Sequence, residues 1–316
     1  MRQIIKKIIV LGIYYSGLNW IVGKFLCKKV FCVGYHSVWD EKNQAQFSQN
    51  LYWNISVSSK DFEDQILFLK KNGHSFIQFS DLKSPKIKET RRLDKPTVIF
   101  FDDGFKDVLV NALPILKKYE IPATIFITTG LIDRSYFLWT LKVRHLLSRR
   151  HLDMEQIERK VAEMKKLSIT ERGETISVME KEANLILNPS DFNIFLNWDE
   201  IRELSKNNFE IGSHGVSHEK FVELSDGELK LELVSSRTIL EQKTGAMVGT
   251  ISYPYGRYNE RIIGSARSSR YSLGLSTLVG SNSFEYIDKH PFQIKRINPE
   301  EDKTLLDFKV RLYTNI

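Results

Sequence analysis

The chain has only two cysteines, Cys27 and Cys32, in 316 residues. Their spacing is neither that of a redox pair nor that of a zinc motif, so no disulfide framework is expected, and free thiols lean the expected compartment toward the cytoplasm. A membrane-spanning apolar run is also lacking. The nearest approach is residues 8–23, uncharged and largely apolar between Arg2, Lys6, Lys7 and Lys24, Lys28, Lys29. As a helix this stretch reaches roughly 24 Å, short of a bilayer core of about 30 Å. Lys24-Phe25-Leu26-Cys27 is not a small-residue cleavage site, and no lipoprotein-type cysteine site is apparent. Residues 1–28 therefore read as a helix packed on the domain or as one lying in a membrane interface, with Tyr14, Tyr15 and Trp20 as interfacial aromatics. A cleaved or spanning segment is the remaining reading. No internal repeat, low-complexity tract or nucleic-acid-binding motif is present, and nucleic acid is not an expected partner.

What is there is a soluble globular composition, 42% hydrophobic and 27% charged, long enough for one large domain. The net charge of +7 fits a solvated basic surface, and equally contact with an acidic membrane surface or an anionic glycan. Localisation is expected to be cytoplasmic or peripheral at the inner face of the membrane, with an exported form less favoured.

From residue 29 onward, short apolar runs alternate with amphipathic helical patterns. Strands are expected at residues 30–35, 97–101, 123–127, 209–212, 250–253, 273–275 and 293–297. Helices are expected from Ser58 or Ser59 to Gly73, over 109–119 with a break near Pro114, over 198–207, from a Ser225/Glu228 capping box to Gly245, and over 260–269. Asn298-Pro299-Glu300-Glu301 reads as the start of a closing helix. Residues of about 140–197 are charged and poor in strand signal, and read as a helical insertion within a domain spanning 29–316. The alternation predicts an α/β fold with a parallel sheet covered by helices. Polar residues at the C-terminal strand ends are then where chemistry is expected: His36, Asp102 and Asp103, His214, and Tyr255.

Three clusters carry the chemistry. Asp102 and Asp103 follow an apolar run and precede Gly104. Adjacent carboxylates repel, and a cation bound by one leaves the other free to accept a proton. His214 and His218, four apart, fit two ligands on one side of a helical turn. Two imidazoles and a carboxylate suit one divalent metal, zinc above all, with cobalt, nickel or iron also compatible. Around Tyr255, Pro254 and Gly256 set a sharp turn that can aim a backbone N–H into the site.

In this order the clusters resemble the motifs of the polysaccharide deacetylases with a NodB-homology domain (carbohydrate esterase family 4). The matching runs are Phe100-Phe101-Asp102-Asp103-Gly104, Ser213-His214-Gly215-Val216-Ser217-His218 and Tyr253-Pro254-Tyr255-Gly256. The resemblance covers about residues 30–300 and implies a distorted (β/α) barrel with about seven strands. It implies Asp102 as general base, Asp103, His214 and His218 as metal ligands, and the Tyr255 N–H as an oxyanion donor. The implied reaction is hydrolysis of an N-acetyl group on a polysaccharide or lipid-linked saccharide. An O-acetyl esterase, a deformylase and a non-catalytic glycan-binding protein are the alternatives.

The chain departs from the pattern in three places. Phe100 stands for a threonine, and Ser252 for the arginine that orients the base; Arg296, at an expected strand end, is the candidate replacement, the alternative being a plain salt bridge. No late Leu-x-His motif is found. Tyr35-His36-Ser37-Val38 instead resembles the branch that includes the poly-N-acetylglucosamine deacetylases, where the acid histidine follows the first strand. That assigns the acid role to His36, with His290 as competitor.

Overall fold

The computed structural model describes residues 29–40, 55–84, 93–150, 152–188, 193–300, 302 and 304–314. The helix expected within residues 1–28, and Cys27 with it, lie outside the described residues. The first half contains strands β1 (Lys29–Tyr35), β2 (Ser37–Trp39) and β3 (Ser56–Ser58), helix α1 (Ser59–Lys71), β4 (Ser75–Phe76), β5 (Pro96–Phe101), α2 (Leu113–Tyr119) and β6 (Ala123–Ile127). Four helices follow without a strand: α3 (Thr129–Ile132), α4 (Trp139–Ser148), α5 (Met154–Met164) and α6 (Ile169–Ala183). The rest comprises α7 (Trp198–Lys206), β7 (Phe209–Ser213), α8 (Asp226–Thr244), β8 (Thr250–Ser252), α9 (Glu260–Ser268), β9 (Leu273–Val279), β10 (Asn282–Ser283), α10 (Phe284–Lys289), β11 (Ile294–Arg296) and α11 (Leu305–Thr314).

The main sheet runs β10-β1-β5-β6-β7-β8-β9-β11, with β4 also on β5. Its pairs are parallel except the short β1–β10 ladder. Just past β11, Ile297 bridges to Val33 of β1. The Gly34 N–H donates to the Ile297 carbonyl at 2.9 Å and the Ile297 N–H to the Cys32 carbonyl at 2.8 Å. The sheet thus nearly closes into the expected distorted barrel, with about eight strands around it.

Alternation along the strands sorts side chains into two cores. Val30, Cys32, Val98, Phe100, Phe126, Leu273, Leu275 and Ile294 meet inside the barrel. Phe31, Val33, Tyr35, Ile99, Phe101 and Ile125 pack outward under the helices, against side chains such as Phe62, Leu116, Ile201 and Leu229. The inner aromatics need space opposite: a Cβ on Gly34 would sit 2.2 Å from the Phe100 ring.

The expected break near Pro114 is present, and the closing helix differs from its expected start. The break near Pro114 is a π-helical stretch, Val108–Ala112, after which α2 begins at Leu113. Pro114, lacking an N–H, then falls in a first turn that needs no donor there. The closing helix begins at Leu305, not at Pro299, and Thr304 Oγ1 accepts from the Asp307 N–H at 3.2 Å. Residues 297–300 are instead drawn to β1, where Glu300 takes a partner described below.

Helices α4–α6 bury a cluster of their own that includes Trp139, Val143, Leu146, Ile157, Val161, Met164, Ile176 and Met179. Capping boxes at Asp153/Gln156 and Ser168/Glu171 start α5 and α6. Buried Arg172 ties this subdomain to the barrel through an ion pair with Glu219, and its guanidinium lies 4.8 Å from the centre of the Trp139 ring. Lys220 Nζ also donates to the Lys165 carbonyl at 2.6 Å. Among the described residues, no helix is long and apolar enough to cross a membrane.

Candidate active site

The C-terminal ends of β1, β5, β7, β8 and β11 converge on one cavity of about 130 Å³, whose lining includes all seven site residues expected from the sequence. At the end of β5 the backbone turns sharply, with φ of 74° at Asp103 and 91° at Gly104. The turn separates the two carboxylates. Asp103 faces the histidines, while Asp102 faces β11 and β1.

His214 leaves β7 directly, its N–H donating to the Ile127 carbonyl at 2.9 Å. The expected helical turn between His214 and His218 is absent. A loop with left-handed residues at Gly215 (φ 79°) and His218 (φ 61°) converges the two rings instead. Buried Glu232 of α8 clamps that loop, accepting from the Val216 N–H at 2.6 Å and from the Ser217 N–H at 3.2 Å. A Cβ on Gly215 would lie 2.7 Å from a Glu232 carboxylate oxygen, so both the backbone angle and the clamp require glycine there.

Asp103, His214 and His218 are buried and present ligand atoms within 4.8 Å of one another. Both imidazole Nε2 atoms stand 3.2 Å from Asp103 Oδ1, yet that oxygen accepts no hydrogen bond. His214 Nδ1 lies 2.7 Å from the Ser252 carbonyl, which accepts its proton and leaves Nε2 as a lone pair. A buried acceptor without a donor, facing two imidazole nitrogens, fits a divalent cation.

On the other side, Arg296 Nη1 donates to Asp102 Oδ2 at 2.6 Å. Arg296 thus reaches Asp102 from a strand on the far side of the sheet order. Burial works to raise the Asp102 pKa, but Arg296, His214 and His36 outweigh it and hold the carboxyl below its usual range. Asp102 Oδ1 has no hydrogen-bond partner. His36 Nε2 stands 4.0 Å from Asp102 Oδ2, and its Nδ1 is 2.6 Å from Glu300 Oε1. The same oxygen accepts from the His36 backbone N–H at 2.5 Å. Burial alone would lower the His36 pKa; Glu300, with smaller contributions from Asp103 and Asp102, raises it to about 9. His290 is exposed at the end of α10, against Tyr286, and does not line the cavity.

Tyr255 occupies a single turn with φ of 58°, its ring 4.9 Å from that of His218, and its hydroxyl accepts from Trp139 Nε1 at 2.9 Å. The helical subdomain therefore touches the site directly. Ser37 Oγ donates to buried Asp107, whose carboxyl is pushed up to about 7 by burial. Sequence reasoning missed Glu300, Glu232 and Asp107. Glu300 sits 264 positions from His36 and reads locally as a helix start, so no short spacing marks it.

The sequence profile described as polysaccharide deacetylase matches residues 90–274, more than half of the chain. The chain belongs to the polysaccharide deacetylase family. This member is 26% identical over 275 residues to the poly-beta-1,6-N-acetyl-D-glucosamine N-deacetylase of Staphylococcus aureus (strain MSSA476), covering 83% of this chain and 78% of that protein. It is 24% identical over 229 residues to YxkH of Bacillus subtilis (strain 168), covering 72% of this chain but only 61% of YxkH. Among solved structures, the Streptococcus pyogenes deacetylase PplD in complex with acetate aligns with a TM-score of 0.62 at 18% identity, over 89% of this chain and 97% of PplD. The de-N-acetylase of Aggregatibacter actinomycetemcomitans aligns with a TM-score of 0.62 at 18% identity, over 90% and 100%. At these identities the structural likenesses establish the fold.

Proposed function

We propose that this family member hydrolyses the N-acetyl group of an N-acetylglucosamine-type sugar in a polysaccharide, releasing acetate and a free amine. The observation that carries this is the pairing, in one cavity, of the Asp103–His214–His218 cluster with two separately buttressed proton carriers, Asp102 on Arg296 and His36 on Glu300. A divalent cation, zinc in the first instance, held by Asp103, His214 and His218 would supply Lewis acidity toward the acetyl oxygen and the attacking water.

Asp102 accepts the water's proton at Oδ1, its unpartnered oxygen, while Arg296 keeps Oδ2 engaged and the carboxylate ionised. The Tyr255 backbone N–H donates to the oxygen that develops negative charge on the acetyl carbon. His36 then delivers its Nε2 proton to the leaving amine. Glu300 holds the opposite ring nitrogen, which selects the tautomer and keeps the imidazole charged near neutrality.

The relative acting on poly-N-acetylglucosamine supports an amide substrate of this type. A lipid-linked saccharide, and a peripheral position at the inner face of a membrane, rest on the net charge of +7, and liposome partitioning tests that part. The main test is acetate release from poly-N-acetylglucosamine oligomers and from O-acetylated analogues, with zinc, cobalt, nickel or ferrous iron and Asp102→Asn as control. Release from neither with any metal overturns the proposal, and release from the ester alone replaces it with an esterase.

A further inference from the structure

The cavity over the Asp103–His214–His218 cluster is only partly a product of the barrel. The helical subdomain contributes Arg144 of α4 and Lys165, the residue directly after α5, to the same lining. Nothing in the hydrolysis derived above uses either cation.

The two differ in how their charge is balanced. Buried Arg144 donates through Nε and Nη2 to the carboxylate of Glu158, at 2.6 and 3.0 Å. Arg172 is paired with Glu219, and Lys220 with Glu223 at 2.6 Å, as charge-assisted bonds. Lys165 has no carboxylate within ion-pair distance among the described residues. Its backbone is fixed by the Lys220 contact to its carbonyl, so the side chain issues from a defined point on the cavity rim. Its pKa lies below the ordinary lysine range, first through desolvation and then through Arg144, with Lys220 adding to it and Glu158 only partly opposing. Glu158 thus balances Arg144 and offsets Lys165 only in part, and the exposed Lys165 side chain is left at the cavity edge without a paired carboxylate among the described residues.

We propose that Lys165, backed by Arg144, forms a subsite for an anionic substituent, a phosphate or a carboxylate, on the N-acetylated sugar whose acetyl group lies over the metal cluster. This rests on the deacetylase reading for what occupies the rest of the cavity. An anion at the rim relieves the repulsion between the two cations and supplies the missing partner for Lys165. The substrate class is then an acidic or phosphorylated N-acetylhexosamine glycan in preference to a neutral homopolymer. The selecting charge belongs to the helical subdomain and not to the barrel.

The test is equilibrium binding of N-acetylglucosamine, N-acetylglucosamine 1-phosphate and N-acetylmuramic acid to the metal-loaded protein, to Lys165→Met and to Lys165→Arg. Acetate release from neutral N-acetylglucosamine oligomers is followed in parallel. At least one anionic sugar is expected to bind about tenfold or more tightly than the neutral one. Lys165→Met should abolish that advantage without moving the neutral sugar's affinity, and Lys165→Arg should retain it. Preference for the 1-phosphate alone assigns the group as phosphate, and preference for the muramic acid alone assigns it as carboxylate. Equal binding of all three sugars, or an advantage that survives in Lys165→Met, overturns the subsite. Release of acetate with no anion preference sinks the subsite and leaves the deacetylase reading. An anion preference without release from any substrate sinks the deacetylase reading alone.

Discussion

Replacing Glu300 by glutamine keeps the shape of the contact to His36 but removes its charge. In the structure that charge works against burial and, with Asp103 and Asp102 nearby, lifts His36 to about 9 from an ordinary value of 6.5. Without it, desolvation dominates and the pKa falls to about 6.5 or below. At pH 8 the protonated fraction then drops from roughly nine-tenths to about 3%, a loss of about thirtyfold in the competent acid. The alkaline limb of the kcat/KM profile should move down accordingly, while the acid limb, set by Asp102, stays in place. A bound divalent cation lowers both alkaline limbs without removing the difference between them. Stability of the metal-free protein gives a second readout. A raised pKa means that the His36 contribution is fully present below about pH 6.5 and is lost as pH rises through about 9, worth up to about 3 kcal/mol. In Glu300→Gln that dependence should flatten in chemical-denaturation experiments. An alkaline limb that coincides with wild type would refute the acid role of the His36–Glu300 pair.

Arg296→Met leaves Asp102 buried without its 2.6 Å donor, so the Asp102 pKa should rise and the acid limb of kcat/KM should move to higher pH. His214→Ala or His218→Ala should abolish stoichiometric metal retention after gel filtration, measured by elemental analysis, while Asp102→Asn retains the metal and loses about 10²–10⁴-fold in rate. Gly215→Ala should cost about 1–3 kcal/mol in denaturant unfolding, from the left-handed backbone and the collision with Glu232, and should weaken metal binding with it.

Much of the site was legible because it is written in local runs. Asp102-Asp103-Gly104 needs only a buried strand and a turn, and His214 and His218 need only a shared loop. The spacing of the histidines was informative even though the expected helical turn was wrong, since a left-handed Gly215 can converge side chains over the same interval. The buttresses were harder to read. Glu300 resembles a helix start, and Glu232 resembles any surface acid on an amphipathic helix until α8 is laid against the loop after β7.

The residue pattern by itself determined the parallel α/β alternation, the Asp/His/His donor set and a histidine at the end of the first strand, because strand periodicity and side-chain chemistry are local properties; the acid role of that histidine came only from the family resemblance and is a proposal. Tertiary structure decided which distant charges meet. Near-closure of the barrel sets Ile297 beside Val33, and this brings Arg296 to Asp102 and Glu300 to His36. Packing of the helical subdomain sets Trp139 on Tyr255 and Lys165 at the cavity rim. Those pairings depend on where strands end in space, which no separation along the chain encodes.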